Sequence, residues 1–149
     1  MNRQKKHSGF TLLEILVVFF IMGLILVIVP PFLPNVLAST YVKSATRELA
    51  ANLKHARSQS IEHQKETALI VNIEDKNFKL EKKIKDLKLP DDSSLSLITA
   101  DSEQLSEKEG QIRFFPDGSS TGGQIKLTYL NKEYVIDIHW LTGKVKIEP

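Results

Sequence analysis

Twenty consecutive residues, Phe10 to Val29, carry a single charged side chain, Glu14. At 1.5 Å per residue, a helix of about twenty residues spans roughly 30 Å, the hydrocarbon thickness of a bilayer. This run therefore constrains the chain more than any other stretch: it predicts a membrane helix at the N-terminal end. A carboxylate inside such a helix costs about 2.5–3.5 kcal/mol on insertion scales, so Glu14 needs a compensating partner. The preceding residues include Arg3, Lys5 and Lys6, no acid, and end in Gly9. By the positive-inside rule that basic leader stays cytoplasmic, and the rest of the chain lies across the inner membrane. A secretory signal peptide is the competing interpretation. Its apolar core is shorter, about 7–15 residues, and Leu37-Ala38-Ser39 is a poor cleavage site.

The 149 residues suffice for one domain plus an anchor. Loss of Arg3, Lys5 and Lys6 with the leader takes the formal net charge from +2 to −1. A nearly neutral chain predicts no nucleic-acid partner from overall charge, and any basic site must be local. Cysteine is absent, which excludes disulfides, a thiolate nucleophile and Cys-ligated metal.

Pro30, Pro31 and Pro34 follow the apolar run, and proline kinks or stops a helix. Beyond them Leu37, Tyr41, Ala45, Leu49, Leu53 and Ala56 recur at three- and four-residue spacing, which predicts an amphipathic helix to about Ile61. Strands are expected over 66–73, 78–82 and 95–98, and Asp101 to Gly110 reads as a polar surface loop. Further strands are expected over 111–115, 124–130, 133–140 and 144–147. These are joined by Pro116-Asp117-Gly118, Asn131-Lys132 and Thr142-Gly143, and together they predict an antiparallel meander. The fold class is thus α+β. The division expected is a leader at 1–9, a membrane half-helix at 10–29, a kinked amphipathic half at 30–62 and an antiparallel β domain at 63–149.

The segment Gly9-Phe10-Thr11-Leu12-Leu13-Glu14 with its apolar helix resembles the prepilin signature of type IV pilins and type II secretion pseudopilins. The resemblance implies cleavage of the Gly9–Phe10 bond by a prepilin peptidase and N-methylation of Phe10. It implies assembly with other pilin or pseudopilin subunits on an inner-membrane platform, with no cofactor and no bond chemistry by this chain. Phe10 and Glu14 lie four apart, on one helix face. Two unit charges about 4 Å apart gain roughly 4 kcal/mol at an effective dielectric near 20. Glu14 of one subunit could therefore meet the new α-amine of a neighbour and offset its own insertion cost. The helix segment from Ala45 to Arg57, the stretch Phe114-Phe115-Pro116-Asp117-Gly118 to Gly123, and Leu141-Thr142-Gly143-Lys144-Val145 are similar to H-type minor pseudopilins and the related T-type minor pilins. That similarity implies a minor pseudopilin of a type II secretion system, with a small two-sheet domain packed on the helix.

Gly143-Lys144-Val145-Lys146 also resembles the Gly-Arg-x-Arg stretch of DNA-binding T-type minor pilins, with both arginines replaced by lysine. It implies a second function, a minor pilin of a type IV or competence pilus that binds DNA through Lys144 and Lys146. Both lysines fall on one face of the expected strand, with Lys126 or Lys132 as neighbours in the meander. Lysine neutralises phosphate but lacks the planar fork of arginine, and edge strands commonly carry lysine for solubility.

Other chemistry finds little support. His55 and His63 stand eight apart with no partner at ligand spacing, and Asp91-Asp92 lacks a calcium-loop pattern. Ser58 and His63 lie five apart on a helix, which separates their faces. The glycines from Gly118 to Gly123 have no following Lys-Ser/Thr for a phosphate cradle.

Overall fold

The computed structural model describes residues 10–28 and 33–148, without the side chains of 28 and 33–37. Two compact units follow one another, Met1–Leu37 and Ala38–Pro149.

The first unit contains helix α1, Leu12–Ile28, seventeen residues whose only charge is Glu14. Its described side chains are all exposed. Among the described residues no helix is long and apolar enough to cross a membrane. At 1.5 Å per residue α1 measures roughly 26 Å, and it ends where the described residues pause. Pro30 and Pro31, and the kink expected there, lie outside the described residues. Pro34 is the second residue of α2, Leu33–His63.

From Ala38 on, α2 buries Val42, Ala45, Leu49, Leu53, Ala56 and Ser60. Tyr41, expected on this stripe, is 53% exposed and Val42 is fully buried in its place. At about 100° per residue, twelve residues bring Tyr41 roughly 120° from Leu53, whereas eleven bring Val42 within about 20°. Unbroken four-residue steps drift around a helix, and only mixed three- and four-residue steps hold one face. The helix stops after His63, where Gln64 takes φ 50° and the Lys65 N–H donates to the Ser60 carbonyl, a Schellman closure.

Among the described residues, eight strands form two antiparallel sheets. One has β1 (Thr67–Asn72), β2 (Asn77–Leu80), β3 (Lys83–Asp86) and β5 (Glu109–Phe114) in the order β3-β2-β1-β5. The other has β4 (Ser94–Ile98), β6 (Gly123–Tyr129), β7 (Lys132–Ile138) and β8 (Val145–Glu148) in the order β4-β6-β7-β8. Leu80, Leu69 and Ile112 stand in one cross-strand row of the first sheet, and Leu97, Ile125, Ile136 and Ile147 in one row of the second. Except for half-buried Leu97 and exposed Ile147, these residues join the α2 stripe in a single hydrophobic core.

Three expectations change. The strand over 111–115 leaves the meander: β5 pairs with β1, so that Ile112 faces Leu69, and only β6, β7 and β8 remain consecutive neighbours in the second sheet. The turn after β6 is Leu130-Asn131, at φ 46° and 61°, and Lys132 already belongs to β7. The strand expected over 95–98 is present as β4, but β3 forms where none was expected, and the loop expected from Asp101 to Gly110 ends in β5 and opens on a 3-10 turn at Asp101–Glu103. Glu103 in that turn is buried, because Arg113 of β5 donates to it at 3.3 Å and to Glu66 at 2.9 Å.

Candidate functional sites

Phe10 and Thr11 precede α1 in non-helical backbone, and Phe10 is 80% exposed. Gly9 lies outside the described residues. Thr11 caps the helix: its Oγ1 accepts the Glu14 N–H at 3.2 Å, and its carbonyl accepts the Ile15 N–H at 3.3 Å. Glu14 thereby takes the N3 position of a Thr-x-x-Glu capping arrangement, and its carboxylate sits in the first turn, where the helix dipole favours negative charge. Thr11 went unassigned in the sequence, although a Ser/Thr three residues before an acid at the start of an apolar run is its signal.

A second constellation gathers at the C-terminal end of α2. The Arg57 Nε–H donates to the Gly118 carbonyl at 2.9 Å, and Ser60 Oγ donates to the Phe115 carbonyl at 3.0 Å. A Cβ on Gly143, which has φ +59°, would stand 2.3 Å from the Gly118 carbonyl oxygen and 2.8 Å from Arg57 Nε. The Ser120 N–H donates to the Trp140 carbonyl at 2.8 Å. The three sequence stretches that carry the H-type resemblance therefore meet here: Arg57 of the helix segment, Gly118 of the β5–β6 loop and Gly143 of the β7–β8 loop. Their shared task is to lock both loops onto the helix. On this platform the rings of His139 and Trp140 stack at 6.3 Å, with Trp140 63% exposed. In the β5–β6 loop Asp117 accepts from Ser119 Oγ at 2.6 Å and from the Ser119 N–H at 2.9 Å. These bonds, the hydroxyl first, hold the Asp117 carboxyl below the usual carboxylate range.

The candidate phosphate-binding lysines are less concentrated than their spacing suggested. Lys144 and Lys146 are both exposed, but β8 begins only at Val145. Lys146 stands directly opposite Asp137 in the register, and Val135 separates Lys126 from Glu148. Lys132 opposes Tyr129, whose parity puts it on the other face. The basic row is thus interleaved with acids. His55 and His63 gain no ligating neighbours, and among the described residues no group of His, Cys, Asp and Glu could hold a metal. Ser58 Oγ donates to the Lys54 carbonyl and faces no histidine in this contact.

A capped apolar helix behind a Gly-Phe-Thr-x-x-Glu motif, followed by a helix that buries one face beneath two antiparallel sheets, defines a membrane-anchored fibre subunit of pilin type. The Prokaryotic N-terminal methylation motif matches residues 4–30, and the Type II transport protein GspH family matches residues 45–142. The chain belongs to the GspH family, whose members are structural pseudopilin subunits rather than enzymes. It is 28% identical over 146 residues to type II secretion system protein H of Xanthomonas campestris pv. campestris, covering 98% of this chain and 86% of that protein. Its fold is similar to the type IV minor pilin FimU of Pseudomonas aeruginosa, with TM-score 0.58 at 15% identity over 74% of this chain and 90% of that one. It is also similar to the minor pseudopilin EpsH of the type 2 secretion system of Vibrio cholerae, with TM-score 0.56 at 9% identity over 72% and 95%.

Proposed function

We propose that this chain is the H-type minor pseudopilin of a type II secretion system, inserted once through the inner membrane with its N-terminus cytoplasmic. A prepilin peptidase cuts Gly9–Phe10, Phe10 is N-methylated, and an inner-membrane platform adds the subunit to a periplasmic pseudopilus. The observation that carries this reading is the pairing, on one chain, of the methylation motif with a GspH domain. Thr11 starts α1 so that Glu14 projects from its first turn, four residues after the new amine at Phe10. In that position the carboxylate can meet the Phe10 amine of a neighbour and set the axial stagger of the subunits. Asp137, which stands opposite Lys146, counts against the second reading, DNA capture through Lys144 and Lys146.

Coexpression with a prepilin peptidase tests the reading. Mass spectrometry of the membrane fraction should show a chain lacking its first nine residues and starting at N-methylated Phe10. Cleavage near Ala38 would overturn it in favour of a secretory signal.

A further inference from the structure

Residues 87–93 carry the chain from β3, an edge of the first sheet, to β4, an edge of the second, and belong to neither. The segment places Leu87 in the core and packs half-buried Leu89 against it. A segment laid over a core must still satisfy its backbone groups. Some of its bonds are internal. The Leu89 N–H donates to the Leu87 carbonyl at 2.7 Å, and the Ser93 N–H and Oγ donate to the Pro90 carbonyl at 3.0 and 2.5 Å.

Among the described residues, every hydrogen bond that ties this segment to the rest of the domain ends on Lys76. The Lys76 carbonyl accepts the Leu87 N–H at 2.9 Å. Its ammonium lies 3.1 Å from the Asp91 carbonyl oxygen, 3.3 Å from that of Pro90 and 3.5 Å from Ser93 Oγ. An ammonium has three N–H donors, and here each has an oxygen within reach. None of these oxygens is a carboxylate, and Lys76 makes no ion pair among the described residues. The cation is thus held by the dipoles of a turn. The backbone agrees with that use. Lys76 takes φ 49°, a left-handed conformation that glycine or asparagine adopts more readily than lysine. A long cationic side chain at that position reaches fourteen to seventeen residues along the sequence, which neither of those residues can do.

We propose that residues 87–93 form a strap that opens and closes locally over the core, with Lys76 as its polar latch. Closed, the strap keeps Leu87 and Leu89 against the core. Opened, it exposes both while the sheets stay paired, because the ladder of β3 ends at Asp86 and that of β4 begins at Ser94. The strap is therefore at the low end of the domain's range of local stabilities. This follows from the fold alone and stands apart from the assignment to a secretion system.

Amide hydrogen exchange, read by mass spectrometry on the full chain in detergent, tests it. In the parent chain, low urea should raise exchange in peptides spanning 87–93 at concentrations that leave β6 and β7 protected. Lys76→Met keeps the aliphatic stem and removes the donors. It should speed exchange of the strap about ten-fold or more and leave β6 and β7 unchanged. Lys79→Met removes an equal charge from neighbouring β2 and should leave the strap as in the parent. An unchanged strap in Lys76→Met, equal acceleration of the strap, β6 and β7, or the same acceleration by Lys79→Met would each overturn the latch. Opening of the strap only together with β6 and β7 in the parent chain would overturn the local unit, whether or not the Lys76 variant folds.

Discussion

Gly143 fits its site only because it has no side chain: a Cβ would enter the space of the Gly118 carbonyl and Arg57, at a φ that L-residues rarely adopt. Gly143→Ala should therefore cost about 2 kcal/mol or more, read as a lowered midpoint in urea unfolding. Asp117 acts through charge in the facing loop. Its folded pKa lies below the unfolded value, near 4, so the folded state binds the proton less readily. The stabilisation is present above that unfolded value and is lost as the pH falls through the folded pKa. Asp117→Asn should flatten that part of the acid-unfolding profile, read by denaturant titration at a series of pH values below about 5. In the first unit, Thr11→Ala removes the acceptor for the Glu14 N–H and should cost about 1 kcal/mol of helix stability, visible as fraying of the first turn of α1 in detergent by amide exchange.

Among the elements, α2 carries most of the folding information because one of its faces serves both sheets. Leu53 is fully buried at the middle of its stripe, and Leu53→Ala should destabilise the domain by about 2–5 kcal/mol in denaturant titration. Strand β5 shows how pairing departs from chain order. The buried row Leu80–Leu69–Ile112 completes the inner face of the first sheet only if β5 crosses to β1. Arg113 on β5 then reaches both Glu66 before β1 and the buried Glu103, tying three segments together.

At the scale of the whole molecule, the proposed role of Glu14 in subunit alignment can be tested apart from the fold of the two-sheet domain. Glu14→Val makes α1 more hydrophobic and should keep the protein in the membrane while lowering its co-purification with sister subunits. Normal co-purification of that variant would refute charge pairing as the alignment device. With acids interleaved among the lysines of the second sheet, the detergent-solubilised chain should show no DNA retention in polarisation assays at physiological salt. Retention abolished by Lys144→Ala with Lys146→Ala would move the assignment to a DNA-binding minor pilin.

Local chemistry alone determined the apolar run with its single acid, the α+β class, the amphipathic α2 and most strand positions. Each depends on periodicity or on residues within a few positions of one another. Tertiary structure decided which side chain of α2 turns inward at Val42, which sheet receives β5, and why Arg57, Gly118 and Gly143 occur together. It also set Asp137 against Lys146 and left Ile84 on an open edge. The physical reason is distance along the chain: a cross-strand partner or a missing Cβ acquires meaning only when segments as far apart as Arg57 and Gly143 are brought into contact, and no local pattern encodes that meeting.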